Sequence, residues 1–245
     1  MRMTDPFNDL VARWVALRNL SPTELPVPLK LDPRYQHANS PTRPAAQPSQ
    51  VESWEHRHGF RLPEGLRAWL VLSDGFYLDG PLIHPLSAIG PMVPFARVPG
   101  MHIQPESWFE LGNPSVETIC IDLAYRWPGG DFPIFRSGDD QVKSSPRLIA
   151  PSFDRWFLEV LKRGGAEYWF QPNFQDLGDP WLEHCRHTKP PAVPARLTSL
   201  IPRARPLLKP GVDDRAIASL LQISRGDVEL LFRHLQHQKM NLSPH

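Results

Sequence analysis

Proline occupies 29 of the 245 positions, and its placement limits where this chain can form helix or inner strand. A proline has no amide donor and a locked φ, so a run of prolines excludes long helices and central strands. One cluster spans Pro22, Pro26, Pro28, Pro33, Pro41, Pro44 and Pro48 and reads as an extended arm. A second runs from Pro172 to Pro210 through Pro190, Pro191, Pro194, Pro202 and Pro206. Its spacing suits a polyproline-like connector or a strap on the surface. The predicted divisions are therefore 1–48, with a short amphipathic helix (Phe7, Leu10, Val11, Trp14, Val15) before the first arm, then 49–171, 172–210 and 211–241.

Between the clusters the pattern is regular. Val51, Trp54 and Glu55 open a helix that Gly59 stops in a left-handed turn. Leu62-Pro63-Glu64 starts a second helix, with the acid near its positive end and Leu66, Trp69, Leu70 and Leu72 on the buried side. Ser73-Asp74-Gly75 turns the chain, and Phe76 to Ile83 reads as a short hairpin around Asp79-Gly80. About thirty proline- and glycine-rich residues follow without a motif. Val116 to Leu123, Phe132 to Arg136 and Arg147 to Ala150 then read as strands of an antiparallel sheet. Ser152 offers an N-cap to a last helix, with its stripe at Phe153, Trp156, Phe157, Val160 and Leu161 and its end at Gly164-Gly165.

A hydrophobic content of 41% supports a real core. No apolar run is long enough to span a bilayer and the N-terminus lacks a secretory apolar stretch, so a cytoplasmic protein without a membrane partner is expected. Cys120 and Cys185 are too few and too far apart for a disulfide framework and are expected to be free thiols. The formal net charge is +1, but residues 186–245 carry ten Lys/Arg against four Asp/Glu, a net +6, which leaves −5 for the rest. Such a basic tail meets an acidic partner or folds back on its own acidic domain.

The ordered motifs resemble the SUKH superfamily, which includes Smi/Knr-type regulators of fungal cell-wall synthesis and bacterial immunity proteins. The resemblance rests on Trp54 through Gly59, Leu62-Pro63-Glu64, Trp69 through Gly75 and Phe76-Tyr77-Leu78. It continues in Ile119 to Leu123, Gly129-Gly130-Asp131, Pro133-Ile134-Phe135 and Ile149 to Phe153 with Trp156. It covers about half the chain; the stretch Pro85–Pro114 and everything after Pro172 lie outside it. It implies an α+β fold, an antiparallel sheet with helices packed at one side, and a protein-binding role. The expected function is stoichiometric neutralisation of a partner such as a toxin by occlusion, without catalysis or cofactor.

The residues themselves point the same way. No nucleophile elbow, His-Glu-x-x-His or phosphate loop is present, and Cys120 sits in an apolar strand as a core residue. Glu183-His184-Cys185-Arg186-His187 has no second cluster to complete a zinc site, so its histidines are expected at the surface, and so are His56 and His58. Asp74, Tyr77, Asp79 and His84 gather around the first hairpin as an acidic, aromatic surface for a basic partner, although turn chemistry alone explains the two aspartates. Residues 213–239 have helix-turn-helix spacing. Ile217, Ala218 and Leu221 face Val228, Leu231, Phe232 and Leu235, and Ser224 can cap the second helix. Arg225, Arg233 and Lys239 are the candidate nucleic-acid contacts of the alternative, a regulatory or DNA-associated factor. Gln222 stands where the turn wants glycine, and Asp227 and Glu229 repel phosphate, so a docked helical hairpin is favoured.

Overall fold

The computed structural model describes residues 6–21, 25, 42–78, 80–92, 104–115, 117–138, 146–207 and 213–241. The chain is an α+β protein with a five-stranded antiparallel sheet and C-terminal helices. It divides into two compact units, residues 1–91 with 107–178, and 92–106 with 179–245. Most of the first proline arm lies outside the described residues, as does Asp79.

In the first unit, helix α1 (Pro6–Leu17) is followed by α2 (Pro48–His58) and α3 (Glu64–Leu70). Gly59 ends α2 at φ 70° in the left-handed region. Pro63 is the N-cap of α3, one position before the expected first turn. A two-stranded hairpin, β1 (Phe76–Tyr77) and β2 (Pro81–Ile83), comes next. Strands β3 (Gly90–Pro91), β4 (Trp108–Gly112), β5 (Glu117–Asp122), β6 (Ile134–Gly138) and β7 (Arg147–Ala150) form the sheet in chain order, each antiparallel to the next. Helix α4 (Phe153–Lys162) closes the motif, and Ser152 Oγ accepts the Arg155 amide at 3.2 Å.

Strands β3 and β4 lie in the stretch that sequence reasoning left without elements. Prolines crowd the flanks of β4, but Trp108, Phe109 and Leu111 are all buried, and pairing with β5 supplies the order that local sequence does not. Every residue of β5 is buried, so the sheet has no solvated face at its centre. Ile121 pairs between Phe109 and Ile134 on the face that joins the core of α1 to α4. Cys120 pairs between Glu110 and Phe135 on the opposite face. There Asp122 is satisfied by Ser107 Oγ (2.7 Å), Trp108 Nε1 (3.0 Å) and the Ala124 amide (2.9 Å).

Helix α1 corrects the predicted boundary at residue 48, because it is part of the core rather than an appendage. Trp14 is fully buried, edge-on to Trp69, Phe153 and Phe157 at 6.5, 6.4 and 5.0 Å between ring centroids. Its Nε1 donates to the Gly65 carbonyl at 2.9 Å. Aromatic pairs of this kind contribute about 0.5–1.5 kcal/mol each beyond area burial.

The second unit corrects the connector. Residues 172–210 contain α5 (Pro180–His187), α6 (Ala195–Thr198) and α7 (Ile201–Ala204). Pro180 and Pro202 stand in first turns, where a missing amide costs nothing, and Pro194 is an N-cap. Asp179 caps α5 by accepting the Trp181 and Leu182 amides. With α8 (Asp214–Leu221) and α9 (Arg225–Asn241), α6 and α7 enclose a core of Leu197, Ala204, Ile217, Leu221, Val228, Leu231, Phe232 and Leu235. The apolar positions expected of a two-helix hairpin thus belong to a larger helical unit. Gln222 takes the left-handed position at φ 57°.

Candidate binding surface

Gly75 sets the geometry of the first hairpin. At φ 106° it is in a region L side chains avoid, and a Cβ there would lie 2.9 Å from the Ile83 carbonyl and 3.0 Å from the Tyr77 ring. The chain can therefore turn tightly and hold Asp74, Tyr77 and His84 around one corner. Each of the three has its own partner. Asp74 Oδ1 accepts the Leu86 amide at 2.6 Å, and the Asp74 amide donates to the Pro44 carbonyl at 3.2 Å. The Tyr77 ring lies 4.1 Å from the guanidinium carbon of Arg43. His84 Nε2 is 3.2 Å from Glu110 Oε1. Asp79, the fourth predicted residue, lies outside the described residues.

Asp74 also lines an open cleft of about 390 Å³ with Ser49, Ser53, Arg57, Leu86 and Ser87. Sequence reasoning found Asp74 but not the cleft, because α2 supplies its other wall from a point twenty residues earlier. The floor is stiff. Trp54 Nε1 donates to the Ile89 carbonyl at 2.8 Å, and Glu55 ties the start of α3 by accepting the Leu62 amide at 2.8 Å and pairing with Arg67 at 3.2 Å. His58, expected at the surface, packs against Trp54 and Phe109 at 4.4 and 5.4 Å, and burial followed by Arg57 lowers its pKa.

A second cleft, of about 450 Å³, was missed. Arg18, Glu64, Arg126, Asp131, Asp154 and Arg155 supply its charges. Arg18 donates to Asp154 Oδ2 from Nε and Nη2 at 3.0 and 2.9 Å and to Glu64 at 3.0 Å. Burial weighs against the Arg18 charge, but Asp154 and Glu64 outweigh it and raise its pKa. On the other side of the pair, burial raises the Asp154 carboxyl in spite of Arg18. Two guanidinium N–H groups converge on one Asp154 oxygen, and the charged pair clamps α1 onto the starts of α3 and α4. In sequence, Glu64 and Asp154 are acids at helix starts, which dipole chemistry already accounts for. Only their shared arginine marks them as a site.

In the helical unit the predicted nucleic-acid contacts are engaged. Arg225 is 3.6 Å from Asp214 and 3.9 Å from Glu229. Arg233 is mostly buried and pairs with Glu106. Lys239 sits in the last turn of α9. Arg196 grips Asp227 at the start of α9 with two bonds of 2.8 Å, and this contact lowers the Asp227 pKa to about 2. The first turn that would read DNA thus carries an internal ion pair.

His184 corrects the expectation of surface histidines, for it is buried and stacks on Trp181 at 5.6 Å. Cys120 and Cys185 are both buried free thiols, and burial pushes the Cys120 pKa well up. Among the described residues no three His, Cys, Asp or Glu side chains gather to hold a metal ion, and no helix is long and apolar enough to cross a membrane. The sequence matches no protein-family model, and no curated protein matches it.

Proposed function

We propose that this protein is a non-catalytic binding factor that neutralises a partner protein, such as a toxin, by covering it, as the SUKH-type motif order implies. The observation that carries this reading is the Asp74 cleft, a polar recess on rigid elements beside a cation–π pair and a histidine–glutamate pair. Recesses of fixed shape with polar walls suit recognition of a protein surface by fit and charge. Three residues that line the recess, Trp54, Arg57 and Asp74, lie in segments that carry the family resemblance. Fold does not by itself assign a role, so the site has to be tested directly.

The test is co-purification of the tagged full-length protein from its native cell at moderate salt. A stoichiometric protein partner that is lost with Ser53→Arg, a substitution at the exposed wall of the cleft, supports the proposal. Recovery of nucleic acid that washes off with salt and is lost with Arg225→Glu and Lys239→Glu overturns it in favour of the DNA-associated alternative.

A further inference from the structure

Along the Asp74 cleft, α2 presents Ser49, Ser53 and Arg57 at successive i, i+4 positions, so the three share one face of the helix. At 1.5 Å of rise per residue, that face runs about 12 Å from Ser49 to Arg57. All three are exposed, and the buried Ala46, Trp54 and Leu86 line the cleft with them. Asp74 and Ser87 form the other wall. An extended chain advances about 3.3 Å per residue, so the groove has room for a segment of about four residues.

The hydrogen-bonding capacity left open in this groove is mostly of one kind. Ser53 Oγ gives its proton to the Ser49 carbonyl at 2.7 Å. Gln50 Oε1 accepts the Gln47 amide at 2.7 Å, which fixes the side-chain amide and leaves the Nε2 hydrogens to donate. Asp74 Oδ1 is taken by the Leu86 amide. Among the described residues, the hydroxyls of Ser49 and Ser87 have no hydrogen-bond partner and the guanidinium of Arg57 has no carboxylate partner. The acids of α2 do not offset that cation: Glu55 is held by the Leu62 amide and Arg67, and Glu52 does not line the cleft. Arg43, next to the Pro44 carbonyl that holds the Asp74 amide, adds an exposed cation over Tyr77. The groove therefore offers donors, with positive charge at the Arg57 end.

We propose that this groove takes an extended acidic segment of a protein partner, with an aspartate or glutamate carboxylate of that segment on the Arg57 guanidinium. The inference rests on the reading of the Asp74 cleft as the partner's site and adds the chemistry of what enters it. A guanidinium presents a planar fork of N–H groups that matches a carboxylate. The Ser49, Gln50 and Ser87 donors suit main-chain carbonyls, which an extended segment displays along its edges. The acids of the first hairpin pointed in the sequence to a basic partner. In the fold Asp74 serves the turn at Leu86, and the open charge has the opposite sign. Asp74 still repels acids on its own side, so the segment carries its acid at the Arg57 end.

The test is an NMR titration of the isotope-labelled full-length protein with a tetraglutamate peptide, its termini blocked, at low salt. Amide shifts are expected at residues 49–57 and 87, and Arg57→Glu should weaken the binding about tenfold. Arg13→Glu makes the same charge change at an exposed position of α1 outside the cleft and should leave the affinity unchanged. An equal loss in that variant reduces the effect to net charge and overturns the proposal. Shifts of the same residues by tetralysine, or by single-stranded tetrathymidylate as strongly as by tetraglutamate, overturn the acidic protein segment but leave the cleft a binding site. Absence of shifts with tetraglutamate overturns it as well. The underlying reading fails separately, when Ser53→Arg keeps the co-purified partner.

Discussion

Gly65 and Asp154 are locked together: a Cβ on Gly65 would lie 1.6 Å from Asp154 Oδ1, while Oδ2 of the same carboxylate takes both bonds from Arg18. A side chain at residue 65 must therefore displace the carboxylate, and with it the clamp on α1. Gly65→Ala is expected to destabilise the protein by about 1–3 kcal/mol, read as a lower urea midpoint at unchanged slope. An unaltered midpoint would show that Asp154 can turn aside without losing Arg18.

Trp14 holds the same helix from its apolar side. Trp14→Phe keeps much of the aromatic packing but leaves the Gly65 carbonyl without its indole donor, at about 1–3 kcal/mol. Trp14→Ala also opens a cavity and should cost about 3–5 kcal/mol. If both variants unfold at the wild-type urea midpoint, α1 contributes nothing to the core.

Gln222 pays a backbone penalty at the end of α8, since its φ of 57° suits glycine. Gln222→Gly should stabilise the helical unit by about 1 kcal/mol. Slower amide exchange in α8 and α9 would report the gain.

Asp227 makes that unit sensitive to strong acid. Its carboxyl is lowered to about 2 by Arg196 and so binds fewer protons folded than unfolded. The contribution of the pair is present above the ordinary aspartate value and is lost as pH falls through it toward about 2. Asp227→Asn should flatten this part of the pH–stability curve, followed by circular dichroism, and an unchanged curve would discount the pair.

Cys120 and Cys185 should be silent toward a thiol reagent in the folded protein and react together, two per chain, in denaturant. Prompt reaction of either thiol under native conditions would contradict its burial.

Much of the fold was legible because local chemistry announced it. Gly59 at the end of α2, Ser152 at the start of α4 and the β-branched run of β5 each act on residues a few positions away. Strand β4 was not legible, since its order comes from pairing with β5 across a bulge. The prolines after residue 172 misled in a specific way. A proline that forbids the interior of a helix is at home in its first turn, and sequence alone did not say which role Pro180 and Pro202 played. Of the candidate surface, Asp74, Tyr77 and His84 stood out in the sequence by their place around the first hairpin, whereas the serines of α2 that line the cleft with Asp74 did not.

Local sequence was enough to place the Gly59 stop, the Ser152 cap, the buried stripes of α4, α8 and α9, and an α+β chain with an antiparallel sheet. These follow from backbone sterics and periodicity, which act over one or two turns. Long-range packing alone put α1 in the core, joined Arg18 to Glu64 and Asp154, and set Thr188 between the His184 carbonyl and His237. Those contacts join residues 46, 136 and 49 positions apart. No local rule reaches so far, because such pairs form only when burial of the surrounding apolar surface brings distant segments together.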